Sequence, residues 1–308
     1  MSIVEEIDNY KKERDAVIFA HYYTQPEIQD IADYVGDSFA LARLATELEC
    51  KTIVFCGVRF MGESVKLLSP EKTVLLPESK ADCPMAHMVP TGLIEDCRAR
   101  YGDDLAVVCY VNSTVEAKAL SDVCVTSSNA LSIVGELPQR HVLFVPDKHL
   151  GSYVGSRLPK KNIITGHGCC PVHDSIDVEE VRELKAAHPN AIVLAHPECN
   201  EEVRKVADVI GSTSRLISAA AHAPAREYIV ATAVGVEHRM ALDADDAWRS
   251  FLYPKTLPVC SDMAMVTLEK VRDCLRDMNG EIEIDLALAE RARKPLECML
   301  ELTKEPGW

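Results

Sequence analysis

Short apolar runs without polar alternation recur along the chain, separated by stretches in which apolar residues return every three or four positions. The first pattern is that of parallel strands buried on both faces, the second that of amphipathic helices packed over them. The pattern also repeats. Segments 16–38, 105–127 and 191–213 align without a gap, at offsets of 89 and 86 residues. Each opens on an apolar run, reaches an aspartate (Asp33, Asp122, Asp208) and closes on a hydroxyl (Ser38, Ser127, Thr213). Second runs follow at 53–56, 142–145 and 229–232, and third runs at 73–76, 162–164 and 257–259, each third run preceding a cysteine. The repeat predicts an α/β protein of three similar three-layer αβα domains with short parallel sheets, about 85 residues each. They are expected about a pseudo-threefold axis, with the active site at their junction. The expected divisions are 1–82, 83–169 and 170–263, with a helical tail, 264–308, joining the first.

Length alone, at 308 residues, suggests about two domains, and the repeat revises that. Apolar residues make up 47% and charged residues 26%, which excludes a disordered or collagen-like chain. The net charge of −15, from 48 acidic and 33 basic residues, repels polyanions, and no basic cluster offsets it. Nucleic acid is therefore not the expected partner. No run approaches the roughly 18 apolar residues of a membrane helix, and the acidic start reads as no signal peptide. The expectation is a cytoplasmic protein with no membrane partner. Its twelve cysteines are then metal ligands, catalytic thiols or small buried hydrophobes rather than disulfides.

Ligands of open parallel sheets bind beyond the strand carboxyl ends. There the repeat places three polar pairs spaced i, i+2: His21 and Tyr23, Tyr110 and Asn112, His196 and Glu198. On extended backbone both members of a pair face the same way. Ser38, Ser127 and Thr213 stand at expected helix starts, where free N–H groups suit carboxylate or phosphate. With the ends turned inward, nine groups converge on one cavity. Cys83, Cys170 and Cys260 lie 87 and 90 residues apart, in step with the repeat, and the shared Cys-Pro step selects Cys170 over Cys169. Three thiolates fit a zinc with an open position or a [4Fe–4S] cluster with one free iron; soft all-thiolate ligation favours the cluster. Cys56, Cys109, Cys50, Cys124, Cys199, Cys274 and Cys298 are expected to be buried structural thiols, with Cys97 and Cys169 left open.

These residues resemble the quinolinate synthase family over nearly the whole chain. The resemblance rests on His21-x-Tyr23, Gly36-Asp37-Ser38, Tyr110-Val111-Asn112, Thr126-Ser127-Ser128-Asn129-Ala130, Pro146-Asp147-Lys148, Cys170-Pro171-Val172-His173, His196-Pro197-Glu198-Cys199, Gly211-Ser212-Thr213-Ser214 and Cys260. It implies an oxygen-sensitive [4Fe–4S] cluster on Cys83, Cys170 and Cys260, with one iron open as a Lewis acid. It implies the condensation of iminoaspartate with dihydroxyacetone phosphate to quinolinate, phosphate and water in NAD biosynthesis. Aspartate oxidase or aspartate dehydrogenase would supply the imine. Glu198 beside His196 is the expected base pair, its carboxylate tuned toward neutral pH by partial dehydration. Tyr23 with His21 would relay protons. Ser38, Ser127, Ser212, Thr213 and Asn112 would bind the anionic groups, His173 a phosphate or carboxylate, and Tyr110 the growing ring, while Lys148 supports the fold. The chain departs from the family in having His21-Tyr22-Tyr23 where His-Asn-Tyr is frequent. Cys260 also stands alone, without the C-x-x-C-x-x-C run of some members, so a redox-switching disulfide is not expected there.

Overall fold

The computed structural model describes residues 2–244 and 248–303. The first sheet is built from β1 (Ala16–His21), β2 (Tyr34–Gly36), β3 (Thr52–Cys56) and β4 (Thr73–Leu75). The second holds β5 (Leu105–Tyr110), β6 (Val123–Val125), β7 (His141–Val145) and β8 (Asn162–Thr165). The third holds β9 (Ile192–Ala195), β10 (Val209–Ile210), β11 (Glu227–Ala231) and β12 (Ser250–Leu252). All three are parallel and share one order: β2-β1-β3-β4, β6-β5-β7-β8 and β10-β9-β11-β12. The expected α/β class and threefold αβα repetition are thus present.

Sequence pattern accounts for the sheets. In β1, Phe19 packs into one core while Ile18 and Ala20 pack into another on the opposite face. Both faces are covered, so the run stays apolar at every position. The short strands β2, β6 and β10 escaped the sequence reading, because two or three residues at a sheet edge leave no periodic signal. The third run at 257–259 is corrected. The edge strand is β12, whereas Leu257 and Val259 are about half exposed and Pro258 cannot donate to a ladder.

The repeated aspartates have one structural task. Asp33, Asp122 and Asp208 accept hydrogen bonds from the backbone N–H groups of Ile18, Val107 and Val193 at 2.8, 2.7 and 2.8 Å. Their own N–H groups return bonds to the same three residues' carbonyls, each at 2.9 Å. Each tacks the entry to an edge strand onto the central strand, and each also meets a cation: Lys11, Arg98 or Lys185.

The tail forms two helices. Leu268–Asp277 packs on the N-terminal helix Ile3–Glu13, and Leu286–Leu302 lies against Arg59–Leu68, Val115–Ala119 and β6, bridging the first two units. Residues 304–308 of the expected tail lie outside the described residues. No described helix is long and apolar enough to cross a membrane. Where the third unit meets the first, Gly235 has φ +99° and a Cβ would come within 2.8 Å of the Thr24 carbonyl oxygen. Gln29 Nε2 donates toward the carbonyls of Tyr22, Thr24 and Gly235, which fixes the turn carrying Tyr23.

Candidate active site

The three sets of strand ends open on one cavity. His21, Tyr23, Tyr110, Asn112, His196 and Glu198 line it, together with Ser38, Ser127 and Thr213. Cys83, Cys170, Cys260 and His173 complete the expected set. The polar pairs do not converge by extended alternation as the sequence reading proposed. Tyr23, Asn112 and Glu198 lie past the strand ends in tight turns, one closed by Thr24 N–H to the His21 carbonyl and another by Cys199 N–H to the His196 carbonyl, both at 3.0 Å.

The hydroxyl triplet also divides its work with its neighbours. Asp37 caps the helix Ser38–Glu47 and Ser212 caps Thr213–His222, leaving the hydroxyls of Ser38 and Thr213 to the cavity. Ser212 is buried and is not among the described lining residues. Asp37 Oδ2 also accepts from Ser214 Oγ at 2.7 Å, tying the first unit to the third. Its carboxylate already occupies the first of these N-termini, so that terminus is a poorer anion anchor than expected. Ser127 lies ahead of the helix Ala130–Glu136 and bonds His196 Nε2 at 3.1 Å.

Glu198 Oε2 lies 2.8 Å from His173 Nδ1 and 3.5 Å from His196 Nδ1. Its second oxygen is buried without a partner, as is Asn112 Oδ1. Both residues line the cavity, where a bound molecule or water can satisfy these atoms. Burial lowers His21 to about 4 and His196 to about 3, against the opposing pull of Glu198. For Glu198, burial works upward, but His196 and His173 overcome it and hold the carboxyl below its usual range. The expected tuning toward neutral pH is therefore corrected, because the imidazoles outweigh dehydration. Tyr23 and Tyr110 are both pushed up by burial and by Glu198, so each remains a phenol.

The thiols repeat one local geometry. Cys83, Cys170 and Cys260 each hold the N-cap position of a one-turn helix, with φ of −82°, −71° and −81°. Backbone N–H groups of that turn sit near each sulfur and pull its pKa down (those of Met85 and Ala86, of His173, and of Met263 and Asp262), although none closes a cap hydrogen bond. Burial nonetheless pushes Cys83 up to about 12 and raises the other two. Such thiols ionise when a cation arrives, and the positive ends of nearby N–H groups suit an anionic thiolate centre. The residues present thus fit a thiolate-bound metal group. Cys170, His173 and Glu198 also bring ligand atoms within 4.8 Å of one another.

Cys169 does not line the cavity; it stands with His149 and Asp174, their ligand atoms likewise within 4.8 Å. Lys148 Nζ lies 3.8 Å from Asp174. All twelve cysteines are free thiols; Cys97 is buried, and Cys50 and Cys298 are only partly buried, unlike the expectation for them. Sequence reasoning missed Asp37, Phe60, Met61, Thr126 and Met263 on the cavity wall, and it missed Thr232 behind it. Thr232 is fully buried and bonds both Tyr23 Oη, at 2.7 Å, and His173 Nε2, at 2.8 Å. It stands at the end of an apolar run aligned in sequence with Cys56 and Val145, while the strand register makes Gly57 and Pro146 its counterparts, and neither alignment gave it a polar match.

Three αβα units closing on one cavity, with one thiol set beside buried imidazoles and a carboxylate, define an enzyme of three-unit architecture equipped to hold a metal group. Residues 5–301 match the family described as quinolinate synthetase A protein. The chain is 48% identical over 298 residues to the quinolinate synthase of Fusobacterium nucleatum, covering 97% of this chain and 98% of that one. It is 44% identical over 302 residues to that of Clostridium perfringens (98% and 99%), and 45% over 297 residues to that of Caldicellulosiruptor bescii (96% and 97%). The chain belongs to the quinolinate synthase family, enzymes of NAD biosynthesis.

Proposed function

We propose that this chain condenses iminoaspartate with dihydroxyacetone phosphate, releasing phosphate and two waters and closing the pyridine ring of quinolinate. The observation that carries the reading is the matched placement of Cys83, Cys170 and Cys260 at three one-turn helix starts around a cavity lined by acid–base groups. We assign these cysteines three irons of a [4Fe–4S] cluster. When bound, the cluster supplies a Lewis-acidic iron that polarises a substrate oxygen.

The chain's own residues do the rest. Ser127, Thr213 and Asn112 hold the substrate's phosphate and carboxylates, with free helix N–H groups behind Thr213. Ser38 offers a hydroxyl beside the capped terminus. Glu198 is ionised and partly unpartnered, so it takes a substrate proton at Oε1. His21 and His196, neutral at working pH, accept or donate through their ring nitrogens without adding charge. Tyr23 exchanges hydrogen bonds with the reacting hydroxyl, and Tyr110 packs against the forming ring. His173 holds Glu198 in place. The setting is a reducing cytoplasm, which suits twelve free thiols, and the imine comes from aspartate oxidase or aspartate dehydrogenase.

The test is iron and acid-labile sulfide per chain in anaerobically purified protein, followed by a quinolinate assay with both substrates. About four of each, and product only when imine and triose phosphate are both present, is expected. Stoichiometric zinc would overturn the cluster. Dehydration of a hydroxy acid without triose phosphate would replace the condensation with a hydro-lyase reaction.

A further inference from the structure

Resting on the substrate-holding role proposed for Ser127, we infer that Thr303 is a positioning residue. Through Asn129 it fixes the loop that presents Ser127 to the cavity, and so sets how tightly an anionic group is held there. Ser127 lines the cavity and bonds His196 Nε2 at 3.1 Å. Thr303 lies outside the cavity, at the C-terminal cap of the helix Leu286–Leu302. Its hydroxyl oxygen accepts from Asn129 Nδ2 at 3.0 Å, across 174 residues of sequence. Asn129 is buried, and its Oδ1 accepts from the Thr126 backbone N–H at 2.7 Å and from the Thr126 hydroxyl at 3.2 Å.

Each direction is set by a backbone group that neither reverses nor titrates. A backbone N–H only donates, so the Asn129 atom facing Thr126 is the carbonyl oxygen, and the amide NH2 faces Thr303. A backbone carbonyl only accepts, so the Thr303 hydroxyl gives its hydrogen to Met299 at 2.7 Å and offers Asn129 a lone pair. The other two units show why this loop needs outside support. The repeat matches Thr126 with Asp37 and Ser212. Asp37 and Ser212 cap the helices that follow them, accepting from the N–H groups of Ala40 and Arg215. The Thr126 hydroxyl turns instead to Asn129 and Ser128, and Asn129 makes no side-chain cap bond to the helix Ala130–Glu136. The second unit thus holds its loop by a side-chain clamp whose far end is in the tail. The tail helix also packs on Arg59–Leu68, which carries Phe60 and Met61 of the cavity wall. Without the Thr303 hydroxyl, the buried Asn129 amide loses an acceptor and turns for another, releasing the Thr126 N–H and with it the setting of Ser127.

Thr303→Val keeps the branched shape and removes the hydroxyl, whereas Thr303→Ser retains it. Thr303→Val is expected to raise the KM of one substrate about 10-fold with kcat within about 3-fold, and Thr303→Ser to stay within about 2-fold in both. Iron content should be the same in all three proteins. Hydrogen exchange of the anaerobic holoenzyme, read by mass spectrometry, is expected to be about 10-fold faster at the amides of 126–130 in Thr303→Val and unchanged in Thr303→Ser. Unchanged KM values with a lower melting temperature would reduce Thr303 to a helix cap and overturn the inference. Unchanged exchange at 126–130, or an equal rise of KM in Thr303→Ser, would do the same. Should Thr303→Val not fold, Thr303→Ala takes its place under the same expectations. If wild-type protein makes no quinolinate, the proposed reaction fails separately. The inference is then decided by amide exchange and by the affinity of the holoenzyme for inorganic phosphate, expected to fall about 10-fold in Thr303→Val. Equal phosphate affinity in the two proteins overturns it.

Discussion

His173 Nδ1 lies 2.8 Å from Glu198 Oε2, and both side chains are almost wholly buried. One oxygen of this carboxylate is thereby committed and the other left free, which separates its anchoring from its chemistry. Glu198→Gln keeps the shape and removes the charge. It is expected to retain iron while lowering kcat by 100-fold or more, about the value of a positioned base. Iron analysis and steady-state rates on the same sample check this, and a near-normal kcat removes Glu198 as the base.

Cys169 and Cys170 are adjacent in sequence but face different company. Cys170 lines the cavity 3.2 Å from His173 Nδ1, whereas Cys169 stands beside His149 and Asp174. Cys170→Ala is expected to lose the bound iron and its visible absorption, and Cys169→Ala to keep both. The opposite result would falsify the ligand assignment.

The threefold repeat made much of this legible before any coordinates. Matched triplets named nine cavity residues and three thiols, because groups repeated at one offset occupy equivalent strand ends. What the repeat could not carry was asymmetry. Thr232 has Gly57 and Pro146 as counterparts, and Asp37 is matched by Thr126 and Ser212, so neither stood out as a triplet. Nor could spacing tell a cap from a lining group one residue apart, as at Ser212 and Thr213. The direction in which Glu198 is shifted was also hidden, because it depends on two imidazoles arriving from separate segments against the cost of burial.

The cap and the lining hydroxyl should separate in experiment. Ser212 Oγ accepts from Arg215 N–H at 3.4 Å, while Thr213 Oγ1 bonds Tyr23 within the cavity. Ser212→Ala is expected to cost about 1 kcal/mol of stability, with KM unchanged. Thr213→Val is expected to raise KM with little loss of stability. Thermal melts and saturation curves on both variants test the division.

The repeated aspartates are expected to be structural. Asp122→Ala strands the Val107 N–H in a buried strand and removes an exposed pairing with Arg98. An unmet buried donor costs about 1–3 kcal/mol, whereas a surface ion pair contributes little. Stability should therefore fall by about that amount, measured by denaturant unfolding, and kcat per folded chain should hold. A selective loss of kcat would move Asp122 into the catalytic machinery.

Buried histidines also give the fold a pH dependence with a defined sign. His21 and His196 titrate near 6.5 when unfolded, but at about 4 and about 3 in the folded protein. Between those limits the unfolded chain holds more protons than the folded one, so stability rises with pH across this window. Their contribution is complete above pH 6.5. It declines as pH falls, levelling off for His21 near 4 and for His196 near 3. Each proton carries about 1.4 kcal/mol per pH unit. Denaturant unfolding of cluster-free protein at a series of pH values should show this slope between pH 6 and 4.5, and His21→Gln should flatten it by about one proton. An unchanged slope in His21→Gln would mean that His21 is charged in the folded state, and the neutral imidazole assigned to it would have to be abandoned.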